Sequence, residues 1–346
     1  MARVLVVNAG SSSLKLSLLD AGSDDPVLVR ELDAPQSKFD PAELSAALAC
    51  GLSAADAVGH RIVHGGARFR SPALVDGEVR AALDELVALA PLHQPKSLAA
   101  LDAVSEALPN VPAVACFDTA FHATLTAAAY EYALPLQWRE RWALRRYGFH
   151  GLSHAYIARR VPELLGVGAD GLRIVSAHLG SGASLCAISS GHSVDTTMGF
   201  TPLEGLVMGT RSGSVDPGML LWLLERTGLP ETEMASALEH SSGLLGLAGT
   251  ADMRSVLAAR DAGDERARLA LDVYLHRLRA GIAAMAAALG GVDVVAFTGG
   301  VGEHSAQVRD ETVAGLVFLG PFEAVSIPAR EDLEIARQVR ELLGFR

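Results

Sequence analysis

The sequence lacks any pairing of cysteines. Cys50, Cys116 and Cys186 are odd in number, far apart and free of a CxxC pattern, so neither a disulfide framework nor a zinc knuckle is supported, and a reducing cytoplasm is the expected compartment. Long apolar runs are also missing. The longest, from Ala280 towards Val292, is rich in Ala and Gly and falls short of a membrane span. Only four apolar residues separate Arg3 from Asn8, too few for a signal peptide. Positive charge is scarce: 29 Lys and Arg face 40 Asp and Glu, a formal net charge of -11. Neither nucleic acid nor an anionic membrane is therefore an expected partner, because both need a basic face. An anionic small substrate would have to be held by a few local Arg or Lys side chains. No low-complexity tract or heptad run is present.

What is there is a chain of 346 residues, half of them apolar, long enough for two domains. Short Val- and Ile-rich runs alternate with longer segments of helical period, which gives an α/β class. Strands are expected at Val4–Val7, Leu14–Leu19, Val58–Val63, Val111–Phe117, Arg173–Ala177, Ser184–Ile188 and Val292–Phe297. Helices are expected at Pro41–Ala49, Gly77–Ala90, Pro95–Leu108, Ala155–Leu165, Asp216–Arg226, Asp264–Leu289 and Glu331–Leu343. The segment VLVVNAGSSSLKLSLL has a counterpart in RIVSAHLGSGASLCAI. Each reads strand, Gly/Ser turn, strand, and Gly10 to Leu14 aligns with Gly180 to Ser184. Two copies half a chain apart predict a duplicated domain with a cleft between the halves.

Gly-rich turns between strands direct several backbone N–H groups at one point, which suits a phosphate, and Ser hydroxyls add donors. Asn8 can donate or ligate a metal-bound water. A third Gly-rich strand exit, VVAFTGGVGEHS, strengthens a nucleotide reading, although neither GxxxxGK[ST], GxGxxG nor the HRD and DFG elements of protein kinases occur. His60/His64 and His150/His154 are each four residues apart. Neither pair has the Glu of HExxH and Gly151 reads as a turn, so His64 and His154 are expected to be hydrogen-bonded structural residues rather than zinc ligands. Arg61 and Arg211, with Asp118 and His150 in comparable Gly-rich settings, read as an anion clamp. The stretch Asp195–Gly218 has almost no periodicity, and a long irregular segment in a compact protein is usually functional.

The blocks VLVVNAGSSSLK, GHRIVHGG, FDTAFH, YGFHGLSH, MGFTPLEGLVMGTRSGSVDPG and FTGGVGEHS together resemble the acetate kinase family, within the superfamily of acetate and sugar kinases, heat-shock ATPases and actin. The resemblance implies two domains with a duplicated actin-like, ribonuclease H-like ATPase core. Residues 1–122 with 333–346 would form the first and 123–332 the second, with the active site in the interdomain cleft. It implies reversible transfer of the ATP γ-phosphate to acetate, with Mg²⁺ (or Mn²⁺ in its place), ATP as co-substrate, and a homodimer. Asn8 and Glu331 would hold the metal. Arg61, Arg211, Asp118 and His150 would be catalytic, with His150 and Arg211 stabilising the transition state. Val63, Leu92, Phe149 and Pro202, with Arg61, would bind the acyl substrate, and His93 and His178 would line the same site. Lys15, His178, Gly180, Ser181, Gly182, Asp252, Met253, Arg254, Gly299, Gly300, Val301 and Gly302 would bind ATP.

The chain departs from the family pattern where HLGNG reads HLGSG at Ser181, where GEN reads Gly302-Glu303-His304, and where TNEE reads Ala329-Arg330-Glu331-Asp332. It is shorter between Asp20 and Val58 and between Val317 and Ile327. The alternative reading is a propionate or other short-chain carboxylate kinase. A non-acyl ATPase or degenerate nucleotide-binding member is more distant, because it would need no Arg61, Arg211, Asp118 and His150 set. A sugar kinase would need polar groups where Val63, Leu92, Phe149 and Pro202 stand.

Overall fold

The computed structural model describes residues 2–9, 13–33, 41–91 and 94–345. Two compact units result, one of residues 1–123, 149–156 and 330–346, the other of 124–148 and 157–329. The sequence-based bounds differ mainly at 149–156. That segment is tied to the first unit by Gly151 N, which donates to Asp118 O at 2.8 Å, and by His122 Nε2, 3.0 Å from Phe149 O.

The first unit is built on a six-stranded sheet of β1 (Val4–Ala9), β2 (Ser13–Leu19), β3 (Leu28–Asp33), β4 (Ala57–Ile62), β5 (Ala73–Leu74) and β6 (Ala113–Phe117), in the order β3-β2-β1-β4-β6-β5. β1, β4 and β6 run parallel, while β2, β3 and β5 are antiparallel to their neighbours. Val4 to Val7 and all five residues of β6 are buried. Continuous apolar runs of this kind mark strands covered on both faces. One face packs Leu5, Val7, Leu16 and Val58 against Leu44, Leu48, Ala100 and Val104. The helix Glu331–Leu343 crosses β1, β4 and β6. It comes so close that a Cβ on Gly59 would lie 2.5 Å from Ile335 Cγ2 and 2.8 Å from Val339 Cγ2.

The second unit holds β7 (Arg173–Leu179), β8 (Ala183–Ser189), β9 (His192–Thr196), β10 (Val294–Thr298) and β11 (Glu323–Ser326), in the order β11-β10-β7-β8-β9. Here β7, β10 and β11 are parallel and β8 and β9 antiparallel. Strands β9-β8-β7-β10-β11 repeat the order and senses of β3-β2-β1-β4-β6, so the duplication read from the two hairpins extends to five strands. The copies differ at the turn. β1 and β2 close on Ala9 and Leu14, whereas β7 and β8 close one residue sooner, on Leu179 and Ala183. In the second turn Gly180 N donates to Gly182 O at 2.9 Å. Gly10, Ser11 and Ser12 lie outside the described residues, as do Leu92 and His93.

All seven expected helices and seven expected strands are present, within a few residues at their ends. One start is corrected. The helix expected from Ala155 begins at Gly151, so Gly151 opens a helix rather than making a turn, and His154 lies in its first turn. Glycine is required there because a Cβ would collide with Asp118 O.

Candidate active site

In an open α/β sheet, ligands bind at the carboxyl ends of the parallel strands. β1, β4 and β6 place Asn8, Arg61 and Asp118 at that edge of the first unit. Val6, Gly59 and Val114 lie side by side in register, and Asp118 N extends the ladder by donating to Ile62 O at 3.0 Å. The Arg61 guanidinium joins the three strands. Its Nε and Nη2 donate to Asp118 Oδ2 at 3.0 and 2.7 Å, and Nη1 donates to Asn8 Oδ1 at 3.1 Å. The Asp118 side chain is 2% exposed and that of Arg61 20%. Burial works to lower the Arg61 pKa, but Asp118 and then Glu331 outweigh it, and the net shift is upward. Glu331, which adds to that upward shift, is the first residue of its helix. Asn8, Arg61 and Asp118 are brought together by these bonds.

Phe149 and His150 reach the same unit through the segment 149–156. Phe149 is buried, and His150 has φ +55°. A non-glycine residue in the left-handed region is uncommon and costs energy that the surrounding structure must hold. Here the neighbouring Gly151 N–H bond to Asp118 O supplies that hold. Val63 is half-buried beside His64. His64 is structural, as expected. Its Nδ1 accepts from Gly66 N at 2.8 Å, its backbone exchanges two 3.1 Å bonds with the Gln94 amide, and burial lowers its pKa to about 4. His60 is buried as well, with neither ring nitrogen hydrogen-bonded, and burial lowers its pKa to about 3. Both rings are thus enclosed by protein, and among the described residues no group of three or more His, Cys, Asp or Glu could hold a metal ion. Lys15 is exposed on β2, opposite Asn8 in register.

In the second unit a cavity of about 550 Å³ is lined by Gly180, Ser181, Asp252, Met253, Arg254, Gly300 and Val301, a size usual for ligand sites. Asp252 caps the helix Met253–Asp261 through Ser255 N, and the Ser255 hydroxyl, then Arg254, holds its carboxyl below the usual range. Gly182, Gly299 and Gly302 do not line the cavity. Gly299, at φ +78°, has no room for a Cβ, which would sit 2.9 Å from the Leu179 carbonyl. His178, at the end of β7, is in register with Thr298. Residues 197–216 carry no helix or strand, as the missing periodicity predicts. Polar contacts order them instead: Glu204 accepts from Tyr132 Oη at 2.5 Å and Arg146 Nη2 at 2.8 Å. This stretch sets Arg211 beside Pro202, whose carbonyl accepts from Arg211 Nη1 at 3.3 Å.

The sequence reading missed several residues. Leu257, His304 and Ser305 also line the cavity. Leu257 is one helical turn beyond Met253, so extending that motif would have found it, and the other two already stand at the end of the FTGGVGEHS block. Glu303 Oε1 accepts from Gly299 N at 3.1 Å and Ala329 N at 2.7 Å, fixing the Gly-rich exit from β10. Glu239 pairs with Arg211 at 3.0 Å; no spacing in the sequence signals that contact.

Comparison with known proteins places these features in context. A model of the acetokinase family matches residues 42–327. The acetate kinase of Deinococcus radiodurans is 44% identical over 99% of this chain and 98% of its own, and that of Shouchella clausii is 38% identical over 99% and 100%. These alignments extend over more than 390 positions, so both relatives carry residues this chain lacks. Among solved structures, Porphyromonas gingivalis acetate kinase superposes with a TM-score of 0.91 at 35% identity, covering 99% of this chain and 100% of that one. A propionate kinase from Francisella tularensis gives 0.92 at 32% identity, covering 98% and 99%.

Proposed function

The chain belongs to the acetokinase family, and from that premise we propose that it transfers the γ-phosphoryl group of ATP reversibly to acetate, giving acetyl phosphate and ADP. The observation that carries this reading is the Arg61–Asp118–Asn8 cluster at the carboxyl edge of β1, β4 and β6, with Glu331 beside it. The acyl acceptor is assigned to this edge of the first unit and the nucleotide to the cavity of the second.

The acetate carboxylate is ionised at neutral pH and attacks phosphorus directly. A new oxygen–phosphorus bond forms as the bond from the γ-phosphorus to the β,γ-bridging oxygen breaks, and ADP departs with that electron pair. No general base is needed. Asp118 is engaged by two N–H groups of Arg61, which suits it to orienting Arg61 and not to removing a proton. The main obstacle is the approach of an anion to a polyanion. Each pair of like charges at 4 Å costs about 4 kcal/mol at an effective dielectric near 20, roughly a thousandfold in rate if left uncompensated. Arg61, Arg211 and a hydrogen bond from His150 supply the compensation, and transfer proceeds by positioning and charge stabilisation.

Asn8, Asp118 and Glu331 offer only hard oxygen donors, and two carboxylates without a full protein cage suit Mg²⁺, which binds through one or two carboxylates plus substrate phosphates. Asn8 and Glu331 would hold it, where it would neutralise phosphate charge; Mn²⁺ has the same ligand preference. Val63 and Phe149, with Leu92, are assigned to the methyl group. A half-buried branched residue at 63 favours acetate, although one methylene is worth only about 1–3 kcal/mol in an apolar pocket.

The helix Pro217–Thr227 buries none of its residues, and Met219, Leu221 and Trp222 are 43%, 60% and 57% exposed. We assign this face to a second copy of the chain. Trp222→Glu should lower the mass measured by sedimentation from two chains to one, and an unchanged mass would remove the assignment. No helix among the described residues is long and apolar enough to cross a membrane, and the three cysteines are free thiols; a reducing cytoplasm is the proposed compartment.

The test of the reaction is hydroxylamine trapping of acyl phosphate with MgATP and acetate, propionate or butyrate in parallel. Strong signal with acetate is expected. Signal only with a longer acid would keep the chemistry and change the substrate, and no signal with any acid would overturn the reading.

A further inference from the structure

Arg211 is held in a manner that its assigned role alone does not require. Its Nε lies 3.0 Å from Glu239 Oε2, with the two side chains 19% and 14% exposed. Its Nη1 donates to Pro202 O at 3.3 Å. Contacts to two different nitrogens of one planar group fix the plane of the guanidinium as well as its position.

The backbone around this pair is held equally closely. Thr210 Oγ1 donates to Glu239 O at 2.8 Å, Ser212 N to Leu238 O at 3.1 Å, and Ser242 N to Thr210 O at 2.9 Å. Gly243, at φ +60°, packs against Met208 O and Arg211 O so closely that a Cβ would collide with Met208 O. The loop carrying Arg211 is thus fastened to the end of the helix Glu231–His240. Glu239 stands in the last turn of that helix, where the helix dipole disfavours a carboxylate and favours a cation. A side chain placed against its local preference at such a point is expected where function requires it.

We propose that Glu239 is the positioning residue for Arg211. It orients the guanidinium for the transferring phosphoryl group, and its negative charge tempers the clamp so that bound anions are released. This rests on the phosphotransfer reading given above. It adds a residue 28 positions from Arg211 that does not line the nucleotide cavity. Two effects separate in variants. Removing the side chain frees the guanidinium plane. Replacing the carboxylate by an amide keeps an acceptor oxygen for Nε–H and removes only the charge.

The test compares Glu239→Ala and Glu239→Gln in the full chain. With MgATP and acetate, Glu239→Ala should lower kcat about 10–100-fold, the usual cost of losing a group that orients a ligand-contacting residue. KM for ATP should stay unchanged, because the nucleotide cavity is not touched. Glu239→Gln should restore most of kcat while lowering KM for acetate and steepening its dependence on ionic strength. A role confined to folding would instead lower the melting temperature and move both KM values, with no difference in kcat between Ala and Gln. A second measurement does not depend on turnover: calorimetric titration with inorganic phosphate should show several-fold tighter binding to Glu239→Gln than to wild type, and loss of that gain when Arg211→Ala is added. Equal phosphate affinity in Glu239→Gln and wild type, or a kcat for Glu239→Ala within twofold of wild type, overturns the proposal. A wild-type protein that binds phosphate in this pattern but traps no acyl phosphate overturns the acetate reading alone.

Discussion

Arg61→Ala should damage stability and turnover through separable causes. In the wild type, Asp118 is 2% exposed and receives two N–H bonds from Arg61 at 2.7 and 3.0 Å. Removing the guanidinium leaves a buried carboxylate beside the charge of Glu331. Breaking a buried pair in this way costs about 3–5 kcal/mol. Arg61 is 20% exposed, so water reaches the vacated position and the lower end, about 3 kcal/mol, is expected. Adding Asp118→Asn removes the stranded charge and should recover about 2 kcal/mol, a coupling typical of residues in contact. Urea midpoints of the four proteins at pH 8, each referred to wild type, measure this. Acyl phosphate trapping should show turnover lost by a thousandfold or more in both Arg61 variants, including the restabilised one. If Arg61→Ala matches wild-type stability at pH 8, or if the two substitutions add without coupling, the pair does not hold the site as described.

Three further outcomes follow from the same geometry. His60 and His64 are neutral in the folded state, with pKa values lowered to about 3 and about 4, so their stabilisation is complete above pH 6.5 and lost as pH falls. Each should cost about 2 kcal/mol between pH 8 and pH 5; His60→Leu should remove about half of that loss in urea titrations, and an unchanged loss would exclude His60 as its source. Gly151→Ala pushes a methyl group into Asp118 O and should lower kcat about 100-fold with the fold retained, since a displacement of about 1 Å near reacting groups has that effect; near-normal turnover would show that the Asp118 backbone position is unimportant. Val63→Ala should raise the propionate-to-acetate ratio of kcat/KM by about tenfold, and a constant ratio would remove Val63 from the methyl pocket.

The elements that bear the site were legible because their signals are short and contiguous. A buried strand running into Gly and Ser, or into Arg and Asp, needs only a dozen residues to be recognised. The two hairpins gave the duplication for the same reason. Strands β3 and β11 were not foreseen, since LVRELD and EAVS are largely exposed edge segments whose strand character comes from pairing. Placement of 149–156 with the first unit was hidden because it depends on bonds to Asp118 and His122. Glu239, Glu204 and Tyr132 act at positions fixed by tertiary packing, and each lies 28 or more residues from the group it contacts. His60 shows the converse: a spacing that suggested a ligand pair belongs to a neutral ring enclosed by the sheet and its helices.

The helix Glu331–Leu343, which covers β1, β4 and β6 and fills the space left by Gly59, has a consequence for the order of events during synthesis. Strands β1 and β2 leave the ribosome about 310 residues before the helix that covers their sheet. At about 5–20 residues per second, the interval is some tens of seconds, during which Gly59 and its neighbours expose an apolar face. The second unit, by contrast, is complete in its strands once Ser326 has emerged. The half of the molecule assigned to nucleotide binding therefore matures first on the nascent chain. A stop codon a few residues before Ile335 would strand the other half unfinished, although every one of its strands had been made.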